Sequence, residues 1–136
     1  MEKELKQILN VLKQPEIAPD FTRIFINFSM GKNHAVIEWK IVGDDAVINK
    51  IYGDFKALTT YDADKCIGLS IKRFVDEQEQ ANVANVIKHT LEVGFTAKKT
   101  AIFTETGELK YISGIIYRHD KNTLIELMFN PVGIEL

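Results

Sequence analysis

The chain has 136 residues, 46% hydrophobic and 26% charged, which suits one globular domain and excludes the composition of a disordered segment. Its 17 basic and 19 acidic residues leave a formal charge of −2, with no basic block to neutralise phosphates, so neither nucleic acid nor a membrane surface is an expected partner. The one cysteine, Cys66, cannot form an intramolecular disulfide, no leader pattern opens the chain and no apolar run nears the ~20 residues of a spanning helix; a cytoplasmic domain is expected.

Leu5, Ile8, Leu9 and Leu12 recur at i, i+3, i+4 and i+7, and Glu2 and Glu4 stand where the helix dipole favours acid, so an amphipathic helix is expected over roughly 2–13. Pro15 and Pro19 stop it. Asp20 is placed to cap a second helix in which Phe21, Ile24, Phe25 and Phe28 repeat the spacing up to Gly31. The aromatic and β-branched content of residues 21–30 equally suits a strand, and both readings stay open.

From Ala35 the period becomes two. Ala35, Ile37, Trp39 and Ile41 share one face of a strand, and Val36, Glu38, Lys40 and Val42 the other. Gly43-Asp44-Asp45 supplies a turn, and Ala46–Ile51 completes a hairpin. Short helical pieces are expected at Asp54–Leu58 and Asp64–Cys66. Asp76 and Glu79 have capping-box spacing ahead of Val83, Val86, Ile87 and Leu91, and Gly94 stands where a helix ends. Three strands are expected after it, Phe95–Phe103, Leu109–Arg118 and Thr123–Phe129, joined by polar turns. With no βαβ alternation, the class is α+β.

The run Tyr52-Gly-Asp-Phe-Lys-Ala-Leu-Thr-Thr-Tyr-Asp-Ala-Asp-Lys-Cys-Ile-Gly68 resembles the signature of the PAS sensor family, Asn-x-x-Phe-x-x-Leu-x-Gly-Tyr followed by an acidic helix and a Gly. Phe55, Leu58, Tyr61 and Gly68 match in identity and spacing. Tyr52 stands for the usual Asn, and Thr60 for the usual Gly. Phe74-Val75-Asp76 and Leu91-Glu92-Val93-Gly94 resemble the two ends of the long family helix. Phe103-Thr-Glu-Thr-Gly107-Glu-Leu-Lys-Tyr111 resembles the following hairpin. The resemblance spans roughly residues 35–129. It implies a five-stranded antiparallel sheet with helices on one face, and divides the chain into an N-terminal helical extension, 1–34, and a PAS-like domain, 35–136.

In that family the space between sheet and helices can hold a small ligand, and such sites are mostly apolar with a few polar groups. The resemblance points Trp39, Ile41, Phe55, Tyr61, Val86, Phe103, Ile115 and Leu127 to the interior as pocket candidates, against the plainer reading that they fill one another's space. Flavin photoreceptors of the family place a nucleophilic Cys three residues after the Gly; here Ile71 holds that position, and Cys66 reads as a small buried hydrophobe. The haem sensors place a His near Val83, whereas His89 falls two turns later. His34 and His119 stand apart from any other Cys or His, so neither cofactor nor metal is expected.

No Gly-x-Ser-x-Gly, P-loop, dinucleotide-binding or His-Glu-x-x-His pattern occurs in the sequence. The pairs Asp44-Asp45 and Asp62-x-Asp64 sit among turn signals that favour Asp for backbone reasons. The leading reading is a non-enzymatic sensor module that binds a small apolar ligand or a protein partner. Phe129-Asn-Pro-Val-Gly-Ile-Glu-Leu136 replaces the family's connection to an output domain, so action in trans on a separate signalling protein is expected. Leu5, Ile8, Leu9 and Leu12 are the candidate contacts of a homodimer. The alternatives are a small enzyme of the cone-shaped, ketosteroid-isomerase-like kind, with Asp45, Tyr111 and Tyr117 in its pocket, and a purely structural dimerisation module.

Overall fold

The structure, a computed structural model, describes residues 33–130. The expected helix over roughly 2–13, the helix-or-strand segment 21–30 and the dimer candidates Leu5, Ile8, Leu9 and Leu12 lie outside the described residues. Strands β1 (His34–Val42) and β2 (Asp45–Gly53) form the expected hairpin. Helices α1 (Phe55–Thr59) and α2 (Ala63–Cys66), a 3-10 turn (Ile71–Phe74) and the long α3 (Glu77–Val93) follow. Strands β3 (Phe95–Phe103), β4 (Leu109–Asp120) and β5 (Thr123–Phe129) complete the fold.

The sheet is antiparallel throughout, in the order β2-β1-β5-β4-β3. The first and last segments therefore meet at its centre, with β5 beside β1. Trp39 stands opposite Leu124, and Ile37 opposite Glu126. The β2 ladder slips by one residue between Glu38 and Trp39, so Ile37 faces Ile51 while Trp39 faces Ile48. This bulge lets both flanks of β2 keep their apolar side chains on the helix-covered face. The edge of β2 is not left bare: Gly68 N–H donates to Ile48 O and Ile48 N–H to Leu69 O, at 2.7 and 3.0 Å. Covering an edge in this way removes a template for strand addition.

The core lies on the helix side. Ile37, Trp39 and Ile48 of the hairpin meet Phe55 and Leu58 of α1, Phe74 of the 3-10 turn and Val83 and Ile87 of α3, all buried. The spacing of Val83 and Ile87 presents one stripe of α3 to the sheet. Asp76 caps it, its Oδ1 accepting from Glu79 N–H at 3.0 Å, and Gly94 closes it at φ +108 with its N–H on Thr90 O. The reciprocal half of the capping box is absent, because the Glu79 carboxylate turns instead to Lys98.

The opposite face of the sheet carries a second set of buried side chains, Val36, Ile115, Tyr117, Ile125, Leu127 and Phe129. Strand β4 is accordingly buried without a break from Ile112 to Tyr117. Such runs are typical of strands covered on both faces.

The signature residues have separate mechanical tasks. Phe55 and Leu58 fasten α1 to the core. The Tyr61 hydroxyl donates to Phe103 O at 2.8 Å, and its ring meets Phe74 edge-on at 5.2 Å, tying the short helices to β3. Thr60 adopts φ +73, which explains why the family pattern has Gly there: a side chain at positive φ is strained. The Thr60 hydroxyl compensates by accepting from Glu105 N–H at 3.0 Å.

Candidate functional site

Between the sheet and the helices lies a cavity of about 90 Å³. Its walls are apolar. Ile37 and Trp39 come from β1, Ile48 from β2, and Ile112 and Ile116 from β4, while Phe55, Phe74, Val83 and Ile87 close it from the helical side. Three charged residues also reach it: Glu126 from β5, Lys98 from β3 and Glu79 from α3.

Glu126 is the unusual member. In β5 every second residue points to the helices, so Leu124, Glu126 and Met128 share the cavity face. The indole Nε1–H of Trp39 donates to Glu126 Oε1 at 2.9 Å. The second oxygen, Oε2, lies over Gly114 of β4, where an added Cβ would stand only 2.5 Å from it. Gly114 thus leaves the room that the carboxylate occupies. Among the described residues, Oε2 has no hydrogen-bond donor.

Lys98 stands directly across from Gly114 in the β3–β4 ladder, and its ammonium meets Glu79 Oε2 at 2.6 Å. Those two side chains retain 22% and 33% of their exposure and form the outer part of the polar row. Glu126 keeps some accessible surface because it faces the cavity. Its carboxyl nevertheless lies deep among protein atoms, and depth is what its charge senses. Burial pushes its pKa up to about 6, against the opposing pull of the Trp39 N–H and the Lys98 charge.

Trp39, Phe55 and Val86, three of the eight pocket candidates, line this cavity. Ile41 and Tyr61 pack on the core beside it without reaching it. Ile115 and Leu127 instead point to the opposite face, because their neighbours Ile116, Glu126 and Met128 take the cavity side and a strand alternates. Phe103 falls on that opposite face as well, next to the cavity-lining Ile102. Ile71, at the position of the flavin-reactive Cys in the related photoreceptors, lines the cavity, and none of His34, His89 and His119 does. Cys66 is buried, and burial pushes its thiol up, the condition of an inert structural cysteine.

Glu126, Lys98 and Gly114 were not singled out by the sequence reading. The signal was present as a lone acid inside the apolar run Thr-Leu-Ile-Glu-Leu-Met-Phe and a lone Gly inside Tyr-Ile-Ser-Gly-Ile-Ile. A glycine within a strand marks a close approach.

No family model matches the sequence, and neither does any curated protein. Solved structures do match. The PAS domain of a Colwellia psychrerythraea protein aligns at TM-score 0.64 and 11% identity, over 82% of this chain and 97% of that one. The PAS domain of a LuxR-family transcriptional regulator from Burkholderia thailandensis, solved in complex with ethanol, aligns at 0.64 and 12%, over 79% and 96%. The PAS domain of the Cronobacter turicensis RpfR quorum-sensing receptor, solved in complex with BDSF, aligns at 0.58 and 15%, over 75% and 97%. At such identities the likeness is one of backbone geometry, and with the five-stranded order described above it establishes that this chain has the PAS fold.

Proposed function

We propose that the chain is a regulatory sensor module that takes a small ligand in the cavity between sheet and helices and acts on a separate partner through association. The observation that carries this reading is the cavity itself: apolar walls surrounding one deeply placed carboxylate. That is the make-up of a small-molecule site rather than of a plain core. Two proteins of the same fold are described in complex with small molecules, ethanol and BDSF. No helix among the described residues is long and apolar enough to cross a membrane.

The isomerase-like reading finds less support. Asp45 is engaged by the Ser70 hydroxyl at 2.7 Å, Tyr111 is exposed, and Tyr117 is buried on the opposite face. None of the three lines the cavity. Homodimerisation through Leu5, Ile8, Leu9 and Leu12 is part of the proposal, since the sequence spaces these four apolar residues as on one helix face, such a stripe must pack somewhere and an isologous dimer is the commonest closed arrangement.

A native mass spectrum of freshly purified full-length chain, taken with an absorbance scan, tests both halves. The expected result is a colourless dimer that carries or accepts a small molecule. A stoichiometric flavin or haem would contradict the reading of the cavity, and a monomer at high micromolar concentration would contradict association.

A further inference from the structure

We infer that the cavity selects a small organic cation, a short alkylammonium whose apolar tail lies against the isoleucines and whose N–H donors bond Glu126. This rests on the cavity being a ligand site and adds the chemistry of its occupant. The first argument is charge. Two carboxylates, Glu79 and Glu126, and one ammonium, Lys98, line the cavity, a formal excess of one negative charge.

The second argument is pairing. Lys98 is held by Glu79 at 2.6 Å at the outer end of the polar row. Glu126 accepts one hydrogen bond, from the neutral Trp39 N–H on Oε1, and feels the Lys98 charge without bonding it, while Oε2 has no hydrogen-bond donor among the described residues. Glu126 is half-buried, so an oxygen without a donor there keeps accessible surface and can take a charge-assisted donor from a ligand. A carboxylate ligand would meet repulsion there.

The third argument is size. About 90 Å³ is less than the roughly 150 Å³ of an apolar cavity that admits benzene, so the occupant is smaller than a benzene ring. n-Butylamine meets that description. Its neutral and anionic counterparts are n-butanol and n-butyrate.

The charged groups facing Glu126 among the described residues are Lys98 on β3 and Glu79 on α3; β1, β2, β4, α1 and the 3-10 turn contribute none to the cavity. Glu126 is the group whose charge changes near neutrality. Alkylammonium affinity therefore rises with pH as Glu126 ionises, by about tenfold between pH 5 and pH 7.

The test titrates the full-length chain with each of the three probes at pH 7, following the single indole N–H resonance, which belongs to Trp39. n-Butylamine is expected to bind at least about tenfold more tightly than n-butanol, with n-butyrate weakest, and Glu126→Gln to remove the preference. The pH dependence in the wild type gives the same answer should the variant fail to fold. Equal affinity for amine and alcohol, tighter binding of butyrate, or an undiminished amine preference in Glu126→Gln would overturn the cation inference while leaving a ligand cavity in place. Failure of all three probes to move the indole resonance would overturn both.

Discussion

Replacing Phe55 by Ala is expected to lower the unfolding free energy by about 3–5 kcal/mol, the cost of removing a buried aromatic ring whose space cannot collapse. Helix α1 has five residues, too few to persist without tertiary support. It is held by Phe55 and Leu58, 3% and 0% exposed, and by a backbone bond from Asp54 N–H to His34 O at 2.7 Å. Phe55 also borders the cavity, so its loss enlarges an existing void instead of drawing neighbours inward. Cys66→Ala removes far less buried surface and should cost about 1 kcal/mol. Urea unfolding of both variants is the check. A larger loss for Cys66→Ala than for Phe55→Ala would mean that α1 does not carry the packing described.

The second large effect is a stability that falls as pH rises. The folded-state pKa of Glu126 is raised from 4.5 to about 6, so between those values the folded chain binds more protons than the unfolded one. Unfolding free energy then declines with rising pH. The stabilising margin is fully present below the unfolded value and is lost through the folded one, amounting to about 2 kcal/mol. Asp62 and Asp120 behave in the opposite sense, held below the ordinary carboxylate range by Lys56 and by the Asn122 N–H respectively. Their window lies at lower pH and is shared by wild type and variant.

Glu126→Gln isolates the effect, because the amide oxygen can still accept from the Trp39 indole while the charge is gone. The variant should be more stable than wild type by about 2 kcal/mol at pH 8 and nearly equal to it at pH 4.5. Urea unfolding at the two pH values, followed by Trp39 fluorescence, measures the difference. A gap that does not change with pH would show that the carboxyl is not buried where the structure places it.

Much of the fold was legible because particular residues constrain it locally. The alternation from Ala35 to Val42 marked β1 and its inward face, and Asp76 with Gly94 marked the ends of α3. The spacing of Phe55, Leu58 and Tyr61 carried the arrangement of the short helices. The inward faces of β4 and β5 were not legible, since Ile112–Tyr117 is apolar at nearly every position. Period two chooses a side only when one side is polar. Register across β1 and β5, partners about 90 residues apart in sequence, decided that Glu126 points inward and Leu127 outward, and no local signal carries that. Glu79 is a related case: its spacing from Asp76 marked the helix start, and Asp76 does accept from its N–H, but its carboxylate bonds a lysine on β3, which local spacing does not reveal.

The most direct test of a ligand cavity between sheet and helices is the ¹H–¹⁵N spectrum of the full-length chain during titrations with n-butylamine, n-butanol and n-butyrate. The account predicts saturable shifts confined to the Trp39 indole N–H and to the amides of Lys98, Thr100, Ile116 and Met128, residues that line one cavity. The exposed turn at Glu105–Gly107 should stay unmoved. Shifts that scatter over the surface without saturating, or a Trp39 indole that never moves, would contradict it.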